Sequence, residues 1–451
     1  MTIVLRGAAF ARQLTTALTM LDWLFLALIL PIILLISPDW SPVLLFFPFL
    51  WVVRKAATGH FVVQTPLNTS IALLLLMVLV SLYATYDLAF SLPKVAGILF
   101  GVAIFYSAAA TTGRSVSHLW MGVVALLAMG TAVALVGLLT LSPSAKLPIL
   151  EPVNSFLAGF LNSSSLAGTI SNNEIAGVLL WSTPLAGVVA GAMFWRRPSF
   201  VRQWWSWPFY CMTVLLVLAN ALLLSGTLWL TPSRGGLLGF GASFLFILLV
   251  VLRRHRGIVL TLILLAVMGA IALAFDGRMA EAALAVLGGS SDTGSLGGSS
   301  LAGRWEIWTR AVYGIQDFPF TGMGVGTFRN IVNLRYPLSL LNQNTDIAHA
   351  HNHLLQTGLD LGIPGLVAYI ALWLGCAMML WRSWRGASSF WLRLLAVGLG
   401  ANLVAYGVYG MVDAVALGAR PGFIFWLLLG LIAGLYRNVE RSRQMIEVSI
   451  I

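Results

Sequence analysis

The stretch WPFYCMTVLLVLANALLLSGTLWL, residues 207–230, contains no charged side chain. As an α-helix with a rise of about 1.5 Å per residue, it is long enough to cross the roughly 30 Å of hydrocarbon in a bilayer. The whole chain has the same character, because 59% of its 451 residues are hydrophobic and only 9% are charged. A soluble domain carries about 25% charged residues. The composition therefore argues against a soluble enzyme, a disordered protein and a nucleic-acid-binding domain.

Apolar runs of this kind recur along the chain and predict an all-α, polytopic membrane protein of about 12 transmembrane helices. Helices are expected because they satisfy their own backbone hydrogen bonds in lipid. The predicted spans are 17–36, 41–53, 68–86, 92–111, 119–141, 175–195, 207–230, 235–252, 257–275, 363–381, 393–412 and 422–436. The chain then divides into helices 1–9 (1–275), a large extracytoplasmic loop that carries catalytic elements (276–362), and helices 10–12 with a cytoplasmic tail (363–451).

The basic residues orient this predicted bundle. With the N-terminus inside, the inside segments hold 17 of the 26 Lys and Arg residues but only three of the 15 Asp and Glu residues. Short cytoplasmic loops of membrane proteins are enriched in Lys and Arg. We therefore expect both termini in the cytoplasm and the 276–362 loop outside. The net charge of +11 mostly reflects the basic residues of the predicted cytoplasmic segments, and it does not indicate a nucleic-acid partner.

Two of the predicted outside segments carry an arginine in a distinctive setting. Arg234 lies in TPSRGG (231–236), near the membrane boundary, where an ionisable residue is usually functional. The two glycines after it would let a substrate approach closely; the alternative is an ordinary helix-end arginine that reaches water. Arg304 lies in GRWEIW (303–308), a predicted helix start. The helix is expected to end near DFPF (317–320), before a tight glycine-rich loop. The structural alternative for Arg304 is an ion pair with Glu306 or another loop carboxylate.

Three of the six histidines fall within HAHNH, residues 349–353. On a helix, His349 and His353 would share a face and His351 would point away. One of them is expected to act as a general base, because imidazole accepts a proton near neutral pH. Three structural histidines, or a metal site completed by an aspartate, are the alternatives. The aspartates considered for such a site are Asp346 and Asp360.

Three further polar residues lie at outside ends of predicted spans. Asn173 precedes the sixth span, where it fits either a helix cap or a contact with sugar hydroxyls. Asp413 and Arg420 flank the last outside turn, and we expect them to pair with each other.

Together, these patterns resemble the bacterial O-antigen ligase and O-antigen polymerase family of membrane glycosyltransferases, over about residues 160–436. Four stretches carry the resemblance: SRGG at 233–236, the glycine-rich segment 303–328, His-Asn followed after nine residues by G-x-x-G at 351–365, and the closing segment 413–426. Where the family often has N-P-N, this chain has SNN at 171–173, and Asn173 is the better match.

The resemblance implies transfer of a glycan from undecaprenyl pyrophosphate to a hydroxyl of a glycolipid or glycan acceptor. It implies inversion of configuration, no metal or other cofactor, and a site on the extracytoplasmic side of the bacterial plasma membrane. His351 would be the catalytic base, while Arg234 and Arg304 would offer bidentate donors to the leaving pyrophosphate. The other residues implied in substrate binding are Asn173, Asn352, His349, Asp413 and Arg420.

Two other functions are compatible with parts of this pattern. A polymerase would use a second lipid-linked glycan as the acceptor. A solute transporter is less favoured, because predicted spans three to five and seven to nine carry almost no ionisable residue at mid-depth, where transporters bind ions and substrates.

Overall fold

A computed structural model describes residues 16–30, 44, 46–140, 172–196, 207–231, 233–253, 301–339, 341–342 and 345–450, with residues 255, 257, 258, 261 and 265. These residues form helices and turns and no strand. The helices are α1 (Thr16–Ala27), α2 (Phe46–Thr58), α3 (Asn68–Ala84), α4 (Leu88–Thr112), α5 (Val116–Thr140), α6 (Asn172–Leu179), α7 (Thr183–Trp195), α8 (Trp207–Leu230), α9 (Arg234–Val251), α10 (Leu301–Asp317), α11 (Phe328–Arg335), α12 (His353–Gly386), α13 (Phe390–Tyr409) and α14 (Phe423–Ile450).

Eight stretches among the described residues are long and apolar enough to cross a membrane: α4, α5, α6 with α7, α8, α9, α12, α13 and α14. The shorter apolar helices are α1 and α3. The all-helical prediction is confirmed, whereas the count of twelve spans is not established. The predicted ninth span, 257–275, falls almost wholly outside the described residues, as does the Gly- and Ser-rich segment 288–300 of the predicted loop.

The first turns of α12 differ from the sequence prediction, which placed the span at 363–381. The helix begins at His353, because the side chain of Asn352 accepts hydrogen bonds from the N–H groups of Leu354 and Leu355 and caps it. Gly362 then interrupts the helix with a φ of +69°, in the left-handed region that favours glycine. Residues 353–361 are thus a helical extension of the span rather than loop.

The glycine-rich loop packs its backbone directly on this interruption. The N–H of Ile363 donates to the carbonyl of Pro319, and the N–H of Met323 donates to the carbonyl of Leu359, both over 2.7 Å. A Cβ on Gly362 would lie 2.7 Å from the backbone of Phe320. The tight loop expected after α10 is therefore present, and its docking fixes α10 beside the start of α12.

The span formed by α6 and α7 is broken at Leu180–Ser182 and repaired by a side chain. In an unbroken helix the N–H of Leu185 would donate to the carbonyl of Trp181. Here the amide of Asn402, on α13, lies between them: its Nδ2 donates to Trp181 over 2.6 Å, and its Oδ1 accepts from Leu185 over 2.9 Å. Asn402 is fully buried, so this repair supplies partners for backbone groups that have no access to water.

Candidate active site

A buried carboxylate, Asp413, lies at the centre of a polar cluster in the turn between α13 and α14. Its Oδ1 is 3.1 Å from Nδ1 of His351 and 4.0 Å from Nε2 of His349. Its Oδ2 is 3.7 Å from Nη2 of Arg304. The residue is 3% exposed, and the N–H of Ala414 also donates to its Oδ1. Residues from the predicted loop and the last turn thus converge on one charge, although 62 residues separate His351 from Asp413.

The cluster changes the proton affinity of two of its members. Burial alone would raise the pKa of Asp413, but its hydrogen bond with His351 and the charges of the two histidines lower that pKa overall. Burial, followed by repulsion from His351, lowers the pKa of His349 to about 4. At neutral pH, Asp413 is therefore an anion and His349 is a neutral imidazole.

His351 has a backbone conformation that aims its ring at Asp413. Its φ of 48° is left-handed, which is unusual for a residue other than glycine. The indole Nε1 of Trp308 donates to its carbonyl over 3.4 Å, and its N–H donates to Nδ1 of His349 over 3.2 Å. With Nδ1 bound to the carboxylate, Nε2 makes no hydrogen bond within the described part of the chain. That nitrogen is therefore available to accept a proton.

The three histidines do not share a helix, so the prediction of a common face for His349 and His353 is wrong. The rings of His349 and His351 lie 4.3 Å apart in the loop before α12. His353 begins α12 and turns into a buried aromatic pocket, where its Nδ1 lies 3.1 Å from the hydroxyl of Tyr369 and its ring contacts Trp373 edge-on. His353 is a packing residue of the bundle.

Arg304, in the first turn of α10, faces Asp413 rather than Glu306, which was one partner considered in the structural alternative. The Glu306 carboxylate accepts hydrogen bonds from Ser339 and Leu341 and pairs with Arg310. The side chain of Arg304 is only 15% exposed, and its Nε is buried without a hydrogen-bond acceptor among the described residues. An unused donor on a buried guanidinium beside the cluster suits an anionic ligand.

Arg234 begins α9 close to the same turn. A Cβ on Gly235 would lie 2.8 Å from Cγ2 of Val412, next to Asp413, and a Cβ on Gly236 would lie 2.9 Å from Cβ of Ala176. The two glycines therefore allow close helix packing, and the expectation that they let a substrate approach closely is wrong for the faces that pack on Val412 and Ala176. Arg234 itself is exposed and forms no ion pair with the residues that the structure describes.

The remaining predicted residues have mainly structural contacts. Asn352 caps α12, and its Nδ2 also donates to the carbonyl of Met411. The carbonyl of Asn173, on α6, accepts from the hydroxyl of Tyr409 over 2.7 Å, which brings the start of α6 to this end of the bundle. Arg420 is half-buried and begins a short 3-10 turn. The predicted ion pair between Asp413 and Arg420 is wrong, because Asp413 pairs with Arg304 and the histidines.

Lys94 is a charged residue near this cluster that was not selected from the sequence. It lies in α4, its Nζ is 3.9 Å from the ring centre of Phe90, and a Cβ on Gly326 would lie 2.0 Å from that Nζ. His349 interacts electrostatically with both Lys94 and Arg304. An ionisable side chain in the outer part of an apolar span was the available signal.

The same cluster contains a set of atoms that could ligate a metal ion. Ligand atoms of His349, His351 and Asp413 all lie within 4.8 Å of one another. The aspartates considered from the sequence are used elsewhere: Asp346 pairs with Arg329, and Asp360 accepts from the N–H of Gly326 and from Gln356.

One family of known proteins matches part of this chain. Residues 219–370 match the family model described as O-antigen ligase. The matched segment includes Arg234, Arg304 and His351, and it ends before Asp413. None of the curated proteins matches the chain significantly. The resemblance found in the sequence is confirmed over this segment, and the match together with the apolar helices supports a multi-pass membrane protein with an O-antigen ligase- or polymerase-like function.

Proposed function

Because residues 219–370 match the O-antigen ligase family model, we propose that this protein transfers a glycan from undecaprenyl pyrophosphate to a hydroxyl group of an acceptor glycolipid. The observation that carries the proposal is the position of the buried carboxylate of Asp413 between His351 and the buried guanidinium of Arg304. Asp413 binds Nδ1 of His351, and Arg304 lies on the other oxygen of the same carboxylate. A base and a cation beside each other are what this reaction requires.

His351 acts as the general base in the proposed reaction. Its Nε2 accepts the proton of the acceptor hydroxyl while that oxygen forms a bond to the anomeric carbon of the donor glycan. The bond from the anomeric carbon to the pyrophosphate oxygen breaks on the opposite face, so the configuration inverts. Asp413 holds the imidazole in the required tautomer and stabilises the imidazolium that forms, as the aspartate does in other carboxylate–histidine pairs.

Cationic side chains stabilise the leaving pyrophosphate. The unused Nε of Arg304 and the exposed guanidinium of Arg234 are the donors we assign to its oxygens. Lys94 adds a further positive charge near the cluster. Interactions that strengthen as negative charge develops on the leaving group lower the barrier.

The proposed reaction is independent of metal. The histidines and Asp413 have a suitable donor set, but a dication there would lie close to the charge of Arg304, which already pairs with the carboxylate. We expect EDTA to leave turnover of the purified protein unchanged. Loss of turnover with EDTA, and its recovery on addition of Zn²⁺, would assign the cluster to a metal ion instead.

A polymerase is the second candidate, because the same base and cations would serve an acceptor hydroxyl on another lipid-linked glycan. Purified protein in lipid nanodiscs, supplied with undecaprenyl pyrophosphate-linked glycan, distinguishes the two. A ligase forms product only when a lipid A core acceptor is added. A polymerase lengthens the donor glycan in the absence of that acceptor. No transfer in either arm would contradict the proposed function.

We expect Arg304→Ala and Arg234→Ala each to reduce donor binding or turnover strongly. Arg→Lys at either position should recover little, because lysine lacks the bidentate fork of a guanidinium. Turnover at several donor concentrations, in variants with confirmed expression, measures this. Arg329→Ala is the matched control, since Arg329 forms an exposed pair with Asp346. Normal activity in Arg234→Ala would remove its assigned role.

The orientation of the site is also part of the proposal: an extracytoplasmic cluster at the bacterial plasma membrane. In a variant with both native cysteines replaced, Ser295→Cys should react with a membrane-impermeant maleimide in intact cells, and Ser388→Cys only after permeabilisation. Ser388 lies in the turn between α12 and α13, at the opposite end of α12 from His353. The reverse labelling pattern would overturn the predicted topology.

A further inference from the structure

A line of hydrogen bonds leads from the glycine-rich loop to the residue before His351. Asp360, on α12, accepts from the N–H of Gly326 over 2.9 Å, and Nε2 of Gln356 donates to the same Oδ1 over 2.9 Å. The Oε1 of Gln356 in turn accepts from the N–H of Ala350 over 2.8 Å. This line of bonds includes none of the residues assigned to the proposed reaction, yet it ends beside the assigned base.

The amide of Gln356 is fixed by two partners of opposite kind. The backbone N–H of Ala350 can only donate, so it requires the amide oxygen. The carboxylate oxygen of Asp360 accepts, so it requires the amide NH₂ group. Gln356 is 7% exposed and Ala350 is fully buried, so water does not readily replace either partner. Asp360 therefore holds the oxygen of Gln356 towards Ala350.

The beginning of α12 explains how a side chain on this helix reaches back to the loop before it. Side chains of an α-helix tilt towards its N-terminus. Gln356 follows the cap residue Asn352 by four positions, and its own N–H donates to the carbonyl of Asn352. Its side chain therefore extends past the cap to Ala350, two residues before it.

His351 needs support from its surroundings because its backbone is left-handed. A φ of 48° is uncommon for a residue other than glycine, and such a conformation persists where the surrounding structure holds it. The bond to the N–H of Ala350 fixes the chain one residue before this turn. We infer that Gln356, oriented by Asp360, is a positioning residue for His351. It sets the loop conformation in which Nδ1 of His351 meets Asp413, and this inference rests on the proposed role of His351 as the base.

The first test is Gln356→Met, which keeps the length of the side chain but removes both hydrogen bonds. We expect kcat for glycan transfer to fall by about 10- to 100-fold, because a displacement of about 1 Å can cost that much in rate. KM for the donor should change little, since Arg234 and Arg304 remain. Gln316→Met is the matched control, because Gln316 is exposed on α10, and it should keep the wild-type kcat. A wild-type kcat in Gln356→Met would overturn the inference.

A double-mutant cycle with His351→Ala separates positioning from a general effect on the fold. If Gln356 acts through His351, adding Gln356→Met to His351→Ala should cost little further turnover. A residue that only stabilised the fold would lower turnover in both backgrounds. A further loss as large as that in the wild-type background therefore contradicts the positioning role.

The orienting role of Asp360 is tested by two substitutions of similar size. Asp360→Asn retains an oxygen that can accept from both N–H donors, so we expect it to keep most of the wild-type kcat. Asp360→Leu offers no acceptor, and it should lower kcat as Gln356→Met does. Asp360 also attracts Lys94 electrostatically. A loss in Asp360→Asn as large as that in Asp360→Leu would assign the effect to this charge and would overturn the orienting role.

Hydrogen–deuterium exchange tests the same bonds without substrate. In detergent micelles, mass spectrometry of the peptide that contains Ala350 should show faster exchange in Gln356→Met than in wild type, because the amide loses its acceptor. Exchange in Gln316→Met should equal that of wild type. An unchanged rate in Gln356→Met overturns the inference. Absence of glycan transfer by wild type, in contrast, would contradict the proposed function, and the exchange rate would still decide whether Gln356 holds this loop.

Discussion

His351→Ala is expected to reduce turnover of a lipid-linked glycan by about 10²- to 10⁴-fold, the usual contribution of a general base. The ring makes one hydrogen bond, with Asp413, and its Nε2 is free within the described residues, so its removal should spare the fold. Steady-state transfer by purified protein measures the loss. The donor affinity should change little, because the assigned pyrophosphate partners remain.

Two other histidines provide controls for this variant. His349→Ala changes the neighbouring ring but leaves the pair between His351 and Asp413 in place, and we expect a much smaller loss. His255→Ala changes an exposed histidine outside the cluster and should have no effect. Wild-type turnover in His351→Ala would contradict the proposed mechanism. A loss in His349→Ala as large as that in His351→Ala would transfer the role of base to the pair of histidines.

Asp413→Asn is the second variant with a large expected effect. The amide keeps the size of the side chain but removes the charge between His351 and Arg304. An Asn amide can donate to Nδ1 of His351, which would favour the wrong tautomer, and replacing the carboxylate in such a pair costs up to about 10⁴-fold in rate. The buried guanidinium of Arg304 also loses its counter-charge, so donor binding should change too. Turnover as a function of donor concentration separates the two effects.

Asp346→Asn is the matched control for Asp413→Asn. Asp346 pairs with Arg329 in an exposed position, where an ion pair contributes about 0–1 kcal/mol. We expect normal turnover and normal stability in this control. Wild-type turnover in a folded Asp413→Asn protein would mean that His351 works without a carboxylate partner.

The helices and the glycine-rich loop could be predicted from sequence because their determinants are local. Uncharged runs such as 207–230 appear as the helix Trp207–Leu230. The predicted helix that starts near Arg304 and ends near Asp317 is α10, and the loop after it has left-handed glycines at positions 322, 324 and 326. Length, hydropathy and turn residues were sufficient for these elements.

The composition of the cluster could be predicted only in part, because it depends on contacts between distant segments. Arg304, His351 and Asp413 were each selected from the sequence, but their pairing was not. Spacing also suggested a common helix for the histidines, whereas the cap at Asn352 starts the helix after His351. Lys94 was missed because it lies inside an apolar run, and only packing brings that part of α4 to Gly326.

The repair of the broken span by Asn402 has a consequence for biosynthesis. The amide and the backbone N–H that it satisfies are 217 residues apart in the chain. At roughly 5–20 residues per second, a ribosome needs about 10 to 40 s to add that length. During that time Asn402 does not yet exist to bond with Trp181 and Leu185, so the break between α6 and α7 lacks the contacts that stabilise it. We therefore expect the break between α6 and α7 to take its final form only after α13 has been synthesised.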